Sequence, residues 1–413
     1  MNMEGERPRI RPGIEALPAV QQGRRVVLIR DRWGISPDLV LDQGSALILS
    51  LMDGRNDLRE IQVMLMRSGG FGLVSTEELR GFIKRLDDQY LLDNERFRSR
   101  REELLEEFRK RGLREAAHAG SAYPADPREL HDYLDELMSA ADEKGPAQAS
   151  AAHGPPVGLV LPHIDLERGG RCYARGYKFL RPFMRELELL VILGTSHLPM
   201  ELPMALTRKD FQTPLGAVPC AGELADEICE VSCQDFYAEE LVHRAEHSIE
   251  VQVVFLKYLA GEGRCPFRIL PVLCGGFHHI MEKAHLPSAH SPLWEGIRAM
   301  QKVIGRFSGR SCVIASADLA HLGPQFGDPR PVDVSDLGRI ERQDLAMLQW
   351  VVSGSPDGFY RHIMAEEDRR RICGLPPIYA WLHLVQGRSV QLIDYCQAHH
   401  PQCTVTFASL GAW

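Results

Sequence analysis

The stretch LLVILGTSH, residues 189–197, is a run of large apolar residues that ends in glycine and three polar side chains. Such a short apolar run is typical of a strand that is buried on both faces of a sheet. Similar runs occupy residues 157–161, 269–273 and 312–315, and an apolar face with helical spacing spans residues 251–259. This alternation predicts an α/β domain with a largely parallel sheet flanked by helices.

Polar residues with reactive side chains follow three of these four runs. His163 follows the run at residues 157–161, His197 follows the run that begins at residue 189, and Asp318 and His321 follow the run at residues 312–315. Ligand sites of open α/β sheets lie beyond the carboxyl ends of the strands. A single histidine in that position is usually structural, but the same pattern after three strands predicts a functional site.

Composition and charge exclude several classes of protein. The 413 residues are 44% hydrophobic and 25% charged, which excludes a mainly disordered, collagen-like or coiled-coil chain. Residues 1–112 carry 20 Lys+Arg and 19 Asp+Glu and the remainder 28 and 37, so neither part is basic enough to indicate nucleic-acid binding. The apolar runs are too short to cross a membrane, and the first residues lack an apolar signal segment. We expect a cytoplasmic protein with reduced thiols.

The first segment contains two capping boxes, Asp57 with Glu60 and Ser75 with Glu78, each of which predicts a helix start. The stretches VLDQGSALILSLMDGRNDLREIQ and VSTEELRGFIKRLDDQYLL lie within residues 24–96, which resemble the PqqD-like family of small winged-helix-like α+β modules. That resemblance implies binding of a peptide or a radical-SAM enzyme; a generic helical docking domain is the alternative. We expect a recognition domain at residues 1–96, a charged linker helix at 97–112 and an α/β domain at 113–413.

Seven short motifs of the second segment resemble, in order, those of the MEMO family. They are HAGSAYPAD, LPH, LGTSH, TPLGAV, EHSIEVQ, SADLAHLG and ICGLPPI. Bacterial members are called AmmeMemoRadiSam system protein B, and the fold is similar to that of class III extradiol dioxygenases, although ring cleavage is not the family's established activity. The resemblance covers about residues 114–411 and implies a metal site formed by His163, His197 and Cys373. Two imidazoles and a thiolate suit iron(II), with copper as the second possibility. Cys373 precedes a probable helix, whose N-terminus would favour the thiolate.

The resemblance also suggests residues that act beside the metal. His321 would donate or accept a proton, with Asp318 orienting it or a metal-bound imidazole; a structural pair is the competing interpretation. His247 and Glu250 match the family's HSxE motif. Helical spacing points His247 inward, so we expect it, with Glu250 as its carboxylate partner, to support the ligands or to form a satisfied core pair.

Departures from the family pattern leave other functions open. Asp165 and Glu167 follow the first ligand where relatives have small and aromatic residues, and either could join the metal, act as the base of a zinc hydrolase or face solvent. The expected function is a mononuclear metal protein with a dioxygenase-like redox site that acts with a radical-SAM partner. The alternative is a non-catalytic adaptor that binds a peptide or protein. Near the C-terminus lie four further candidate ligands, Cys396, His399, His400 and Cys403, but adjacent histidines do not readily face one ion, so no metal is expected there.

Overall fold

The structure is a computed structural model that describes residues 7–68, 74–141, 154–275, 277, 286–287 and 291–413. The chain divides into two compact units, Met1–Lys110 and Arg111–Trp413.

In its described residues, the first unit combines a small antiparallel sheet with four helices. Its strands are β1 (Ile14–Gln21), β2 (Arg24–Asp31) and β3 (Leu39–Asp42), in that order across the sheet. Its helices are α1 (Gln43–Ser50), α2 (Leu58–Arg67), α3 (Thr76–Asp88) and α4 (Glu95–Arg109). Apolar side chains from the sheet and from α1 to α3 form its core. The fold prediction for this unit, a small α+β domain, is confirmed.

Both predicted capping boxes are present. Asp57 accepts a hydrogen bond from the Glu60 backbone and Ser75 from the Glu78 backbone, and both glutamates bond back to the N-cap residue. The apolar residues that follow each box face the core of the unit, as their spacing predicts. Helix α4, which the sequence places in a linker, carries four buried apolar side chains, Phe97, Leu104, Leu105 and Phe108.

The second unit is built on an eight-stranded mixed sheet. Its strands are β5 (Gly158–Leu161), β6 (Leu189–Thr195), β7 (Met204–Leu206), β10 (Arg268–Cys274), β11 (Ser311–Ser316), β12 (Asp318–Leu322), β13 (Val390–Ala398) and β14 (Thr404–Ala412). A separate three-stranded sheet contains β4 (Leu113–Arg114), β8 (Asp210–Thr213) and β9 (Gly216–Val218). The helices are α5 (Pro127–Ala140), α6 (Leu166–Leu180), α7 (Gly222–Ser232), α8 (His247–Ala260), α9 (Pro292–Arg306), α10 (Leu337–Val352), α11 (Pro356–Ala365) and α12 (Leu375–Leu384).

The four strands predicted from apolar runs form the centre of the large sheet. They lie in the order β5, β11, β6, β10, and every neighbouring pair among them is parallel. The flanking strands β7, β12, β13 and β14 pair in antiparallel fashion. The α/β class is therefore confirmed; within the large sheet, the parallel pairs are those among the four central strands. Because parallel strands end at one edge, the polar residues after β5, β6 and β11 come together there.

In the parts of the chain that the structure describes, no helix has both the length and the apolar character that a membrane crossing requires.

The exposed cap of α3 offers a local test of the fold. Replacing Ser75 by Ala removes the acceptor of the Glu78 backbone N–H and should cost about 1 kcal/mol of helix stability. We expect amide hydrogens in the first turns of α3 to exchange about fivefold faster in the full chain. Glu77→Ala, on the same exposed turn but outside the capping box, is the control, and equal exchange in the two variants would contradict the capping role.

Candidate metal centre

His163 lies directly beyond β5 and is fully buried. Its Nδ1 lies 3.0 Å from the Ser316 carbonyl oxygen, and its backbone N–H donates to Asp318 Oδ1 at 2.9 Å. A carbonyl oxygen can only accept, so Nδ1 carries the hydrogen and Nε2 carries the lone pair. Burial lowers the pKa of His163 to about 4, so the imidazole is neutral at pH 7 and suited to bind a cation.

His197, beyond β6, and His247, the first residue of α8, share one carboxylate. Glu246 Oε1 lies 3.0 Å from His197 Nδ1 and 3.1 Å from His247 Nδ1. The same carboxylate accepts hydrogen bonds from the His197 backbone N–H and from the first N–H groups of α8. Although burial raises the pKa of Glu246, the two imidazoles outweigh it and hold that pKa well below its usual value. Glu246 therefore fixes both rings through Nδ1 and leaves the lone pair on each Nε2.

The three imidazoles converge on one point. One ligand nitrogen from each ring lies within 4.8 Å of the others, and the ring centroids are 4.7 to 5.4 Å apart. His163 is buried, whereas His197 and His247 are partly exposed, so the centre opens to solvent on one side. The structure thus brings together the predicted ligands His163 and His197, and it adds His247 as a third.

Cys373 lies immediately before α12 and contacts the same centre. Its Sγ is 3.4 Å from His163 Nε2 and 3.6 Å from the Asp318 carbonyl oxygen. Burial and the Asp318 carboxylate raise the pKa of the Cys373 thiol well above its usual value. These two effects oppose the thiolate, and a bound cation would supply the opposing charge. The expectation that the helix N-terminus favours a thiolate stays a prediction.

The donor set fits a metal ion. Three imidazoles place one nitrogen each within 4.8 Å of the others, a thiol lies beside them, and Asp318 Oδ2 is 3.6 Å from His163 Nε2. Each imidazole is oriented through its second nitrogen by a carbonyl or a carboxylate, as metal-ligating histidines usually are. Nitrogen and sulfur ligands suit a transition metal rather than Mg²⁺ or Ca²⁺.

The predicted acid–base residue His321 lies on β12, outside this group of three histidines. Its Nδ1 is 3.1 Å from the Leu319 carbonyl oxygen and 3.2 Å from that of Arg371, and its ring packs edge-on against Phe326. Burial lowers the pKa of His321. Asp318 contacts His163 instead, through the His163 backbone N–H and near Nε2. The second nitrogen of that imidazole, Nδ1, contacts the Ser316 carbonyl oxygen rather than Asp318, so the orienting role of Asp318 stays a prediction.

Glu250 is not the carboxylate partner of His247. It is fully buried and pairs with Arg114, and it also accepts hydrogen bonds from the His118 backbone N–H and from the Tyr123 hydroxyl. The partner of His247 is Glu246, which the sequence analysis missed. An acidic residue at the N-cap of a predicted helix and next to a candidate ligand was the available signal.

The other candidate residues lie elsewhere. Asp165 caps α6 and pairs with Arg168 at 2.6 Å, and Glu167 is exposed on the first turn of that helix. His399 Nδ1 contacts Thr404, and His400 Nδ1 accepts from the Gln402 backbone N–H. None of these four residues belongs to the group of three histidines, and Asp165 has a structural partner in Arg168.

Two glycines permit the close approaches that the centre requires. A Cβ on Gly374, next to Cys373, would lie 2.5 Å from the Asp318 carbonyl oxygen. A Cβ on Gly194 in β6 would lie 2.6 Å from Ile249 and 2.7 Å from Ser248 Oγ on α8. Any side chain at these positions would push Cys373 from Asp318, or α8 from β6.

A parallel-centred α/β sheet with histidines and a cysteine at one strand edge defines the class of this protein, and comparison with known sequences gives its family. The family model for Memo-like proteins matches residues 114–410, and the chain belongs to that family. A MEMO1 family protein of Aquifex aeolicus is 30% identical over 377 residues, covering 90% of this chain and 91% of that protein.

Two archaeal relatives are similar over 267 and 281 residues. A MEMO1 family protein of Thermococcus kodakarensis is 32% identical and covers 63% of this chain and 84% of its own. One from Methanopyrus kandleri is 33% identical and covers 66% and 87%. The Aquifex alignment is longer than the second unit and so extends into the first.

Two buried glutamates one turn apart on the same helix offer a matched test of the centre. We expect Glu246→Gln to weaken metal binding about 10- to 100-fold, because the carboxylate that orients two imidazoles is lost. Competition with a metal-binding dye measures this change.

Glu250→Gln is the control. It breaks the buried pair with Arg114 and should cost about 3–5 kcal/mol of stability in denaturant unfolding. The folded variant should bind metal with unchanged affinity. Equal affinities for the two variants would contradict the separate roles.

Proposed function

We propose that this protein is a mononuclear iron protein with a dioxygenase-like redox site that works with a radical-SAM enzyme. The observation that carries the proposal is the convergence of His163, His197 and His247 on one point beside the Cys373 thiol. A structural metal site is usually closed by four protein ligands, whereas this one opens to solvent beside two of its imidazoles. An open site with a redox metal supports a role in chemistry rather than in folding alone.

The donor set supports iron(II). Imidazole nitrogens suit several transition metals, and a nearby carboxylate such as Asp318 is typical of non-haem iron(II) sites. Copper(I) prefers sulfur, and among the residues that the structure describes, Cys373 is the one thiol seen beside the three imidazoles, so copper is the second candidate. Iron(II), when bound, would supply one-electron redox chemistry.

The protein's own residues would position the metal and move protons. Glu246 holds two imidazoles through Nδ1, and Ser316 holds the third, so all three ligands are oriented before metal binds. His321 is kept neutral by burial, and its Nδ1–H is directed to two carbonyl oxygens. Its Nε2 would therefore accept a proton from a substrate at the centre, as a general base.

The first test is the metal content of protein purified anaerobically. Replacing Cys373 by Ala removes the sulfur ligand, and we expect retained iron to fall at least about tenfold. Elemental analysis of wild type and variant gives the ratio of metal to chain.

Cys274→Ala is the matched control, because Cys274 is also a buried thiol. It lies at the end of β10, the strand that pairs with β6, and packs in the apolar core. Equal iron in the Cys373 variant and in wild type would contradict the ligand assignment. A wild-type protein that retains no metal under these conditions would instead favour the adaptor function.

The partnership rests on the first unit. Residues 24–96 resemble PqqD-like modules, and the Aquifex relative shares part of this unit. The matched family model begins at residue 114, so this resemblance stays a prediction. Helix α2 exposes Val63, Met64 and Met66, an apolar strip that suits a protein or peptide partner.

Substitution of that strip tests the partnership in the full chain. We expect Val63→Gln with Met66→Gln to abolish co-purification of a radical-SAM enzyme, identified by mass spectrometry, while the iron content is unchanged. Val334→Gln, which alters an exposed valine of the second unit, is the control. Undiminished recovery of the enzyme with the double variant would contradict a role for this strip.

A further inference from the structure

A second group of candidate ligands lies in the second unit, on residues that the function proposed above does not use. Cys172 on α6 faces Asp394 and Cys396 on β13, and one ligand atom from each lies within 4.8 Å of the others. Asp394 and Cys396 are two residues apart on a strand, so their side chains point to the same face. Cys172 is fully buried, and Asp394 and Cys396 are progressively closer to solvent.

The distance between Cys396 and Asp394 matches that in a tetrahedral zinc site. With Zn–S near 2.3 Å and Zn–O near 2.1 Å, a sulfur and an oxygen on one tetrahedral zinc lie about 3.6 Å apart. Cys396 Sγ and Asp394 Oδ2 are 3.6 Å apart. Two sulfurs on such an ion lie about 3.8 Å apart. The sulfur atoms of Cys172 and Cys396 lie within 4.8 Å of each other.

Nearby cations compensate the charge of this group. Arg175 Nη1 lies 3.1 Å from Asp394 Oδ1, and Arg171 Nη2 lies 3.6 Å from Oδ2. Two thiolates and one carboxylate carry three negative charges, and a divalent cation together with the Arg175 guanidinium neutralises them. The same guanidinium balances Asp394 when both cysteines are protonated, so the site is compensated with or without the ion.

A buried hydroxyl also points to a ligand here. Ser409 lies opposite Asp394 in the β13–β14 ladder and is fully buried. Its Oγ makes no hydrogen bond within the described parts of the chain. Buried hydroxyls nearly always have a partner, and a Cys172 thiolate would provide one.

We propose that Cys172, Asp394 and Cys396 form a zinc site that stabilises the fold, in which they supply three of the four ligands and water supplies the fourth. Two sulfurs and one carboxylate favour zinc(II) over copper(I), which prefers sulfur ligands alone. The ion would join α6 to the sheet edge at β13. Cys172 is seven residues, or about 10 Å, along α6 from its N-cap Asp165, so this site is separate from the histidine centre.

Cobalt(II) in place of zinc reports the sulfur ligands of full-length protein by their charge-transfer absorption. All variants carry Cys373→Ala, so that the histidine centre contributes no sulfur to the spectrum. We expect the parent to show the sulfur-to-cobalt band and to bind about one zinc more per chain than Cys396→Ser. Cys403→Ser is the matched control, because Cys403 is another half-buried thiol packed against the same apolar cluster, and it should keep both the band and the zinc.

Thermal unfolding gives a second readout, in which the comparison between variants isolates the cysteine site because all of them carry the same altered histidine centre. A chelator should lower the melting temperature of the parent and of Cys403→Ser, but leave that of Cys396→Ser unchanged. Asp394→Asn, which retains the side-chain shape, should lose zinc to the chelator faster than the parent does.

Two results would overturn the proposal. One is equal zinc content and an equal cobalt band in the parent and Cys396→Ser. The other is an intact mass of the unreduced protein two hydrogens lower, with a peptide linking Cys172 to Cys396, which would make the pair a disulfide. Neither result bears on the histidine centre, whose failure would appear as unchanged iron content in the variant that carries Cys373→Ala alone.

Discussion

The carboxylate of Glu246 is the group on which the histidine centre depends. It is buried, so its charge is stable only if several donors surround it. Those donors are the two imidazoles of His197 and His247 and the first backbone N–H groups of α8. The same negative charge therefore caps the first turn of the helix and orients both rings through Nδ1. Nε2 is then the nitrogen of each ring that would bind a metal. Helix α8 cannot shift along β6 without losing both the cap and the imidazole contacts.

The sequence predicted the edge of the sheet well because buried parallel strands have a local signal. His163 and His197 follow apolar runs that became β5 and β6, and parallel pairing places both at one edge. Glu250 shows where local reasoning ends. Its spacing from His247 suggested a pair, but Arg114, 136 residues earlier in the chain, takes its charge. Such long-range pairing has no periodicity, and the buried arginine could not be recognised before the fold was known.

The C-terminal cysteines show the same limit. Four candidate ligands lie within residues 396–403, yet His399 and His400 have partners in their own turn. Cys396 instead faces Cys172 of α6, 224 residues earlier in the chain, because β13 forms the sheet edge against which that helix packs. Nearness in sequence thus identified ligand-rich residues but not the set that shares a point in space. The antiparallel strands β12 to β14 complete that side of the sheet. Their positions depend on which strands they pair with, and the apolar pattern of the sequence does not reveal this pairing.

The two glutamates of α8 connect the centre to a segment that the strand pattern does not include. Glu250 binds Arg114, the His118 backbone and Tyr123, and so fixes the HAGSAYPAD motif against the helix. That contact sets the ring of His118 edge-on to His247, with centroids 5.8 Å apart, and His118 Nε2 lies 2.9 Å from the Ala245 carbonyl oxygen. One buried carboxylate therefore orients the ligands, and the other holds a fourth histidine at their rim. Because both glutamates belong to one helix, a displacement of α8 would disturb the three ligand histidines and His118 together. Through these contacts, motifs spread over some 260 residues of sequence meet at one site.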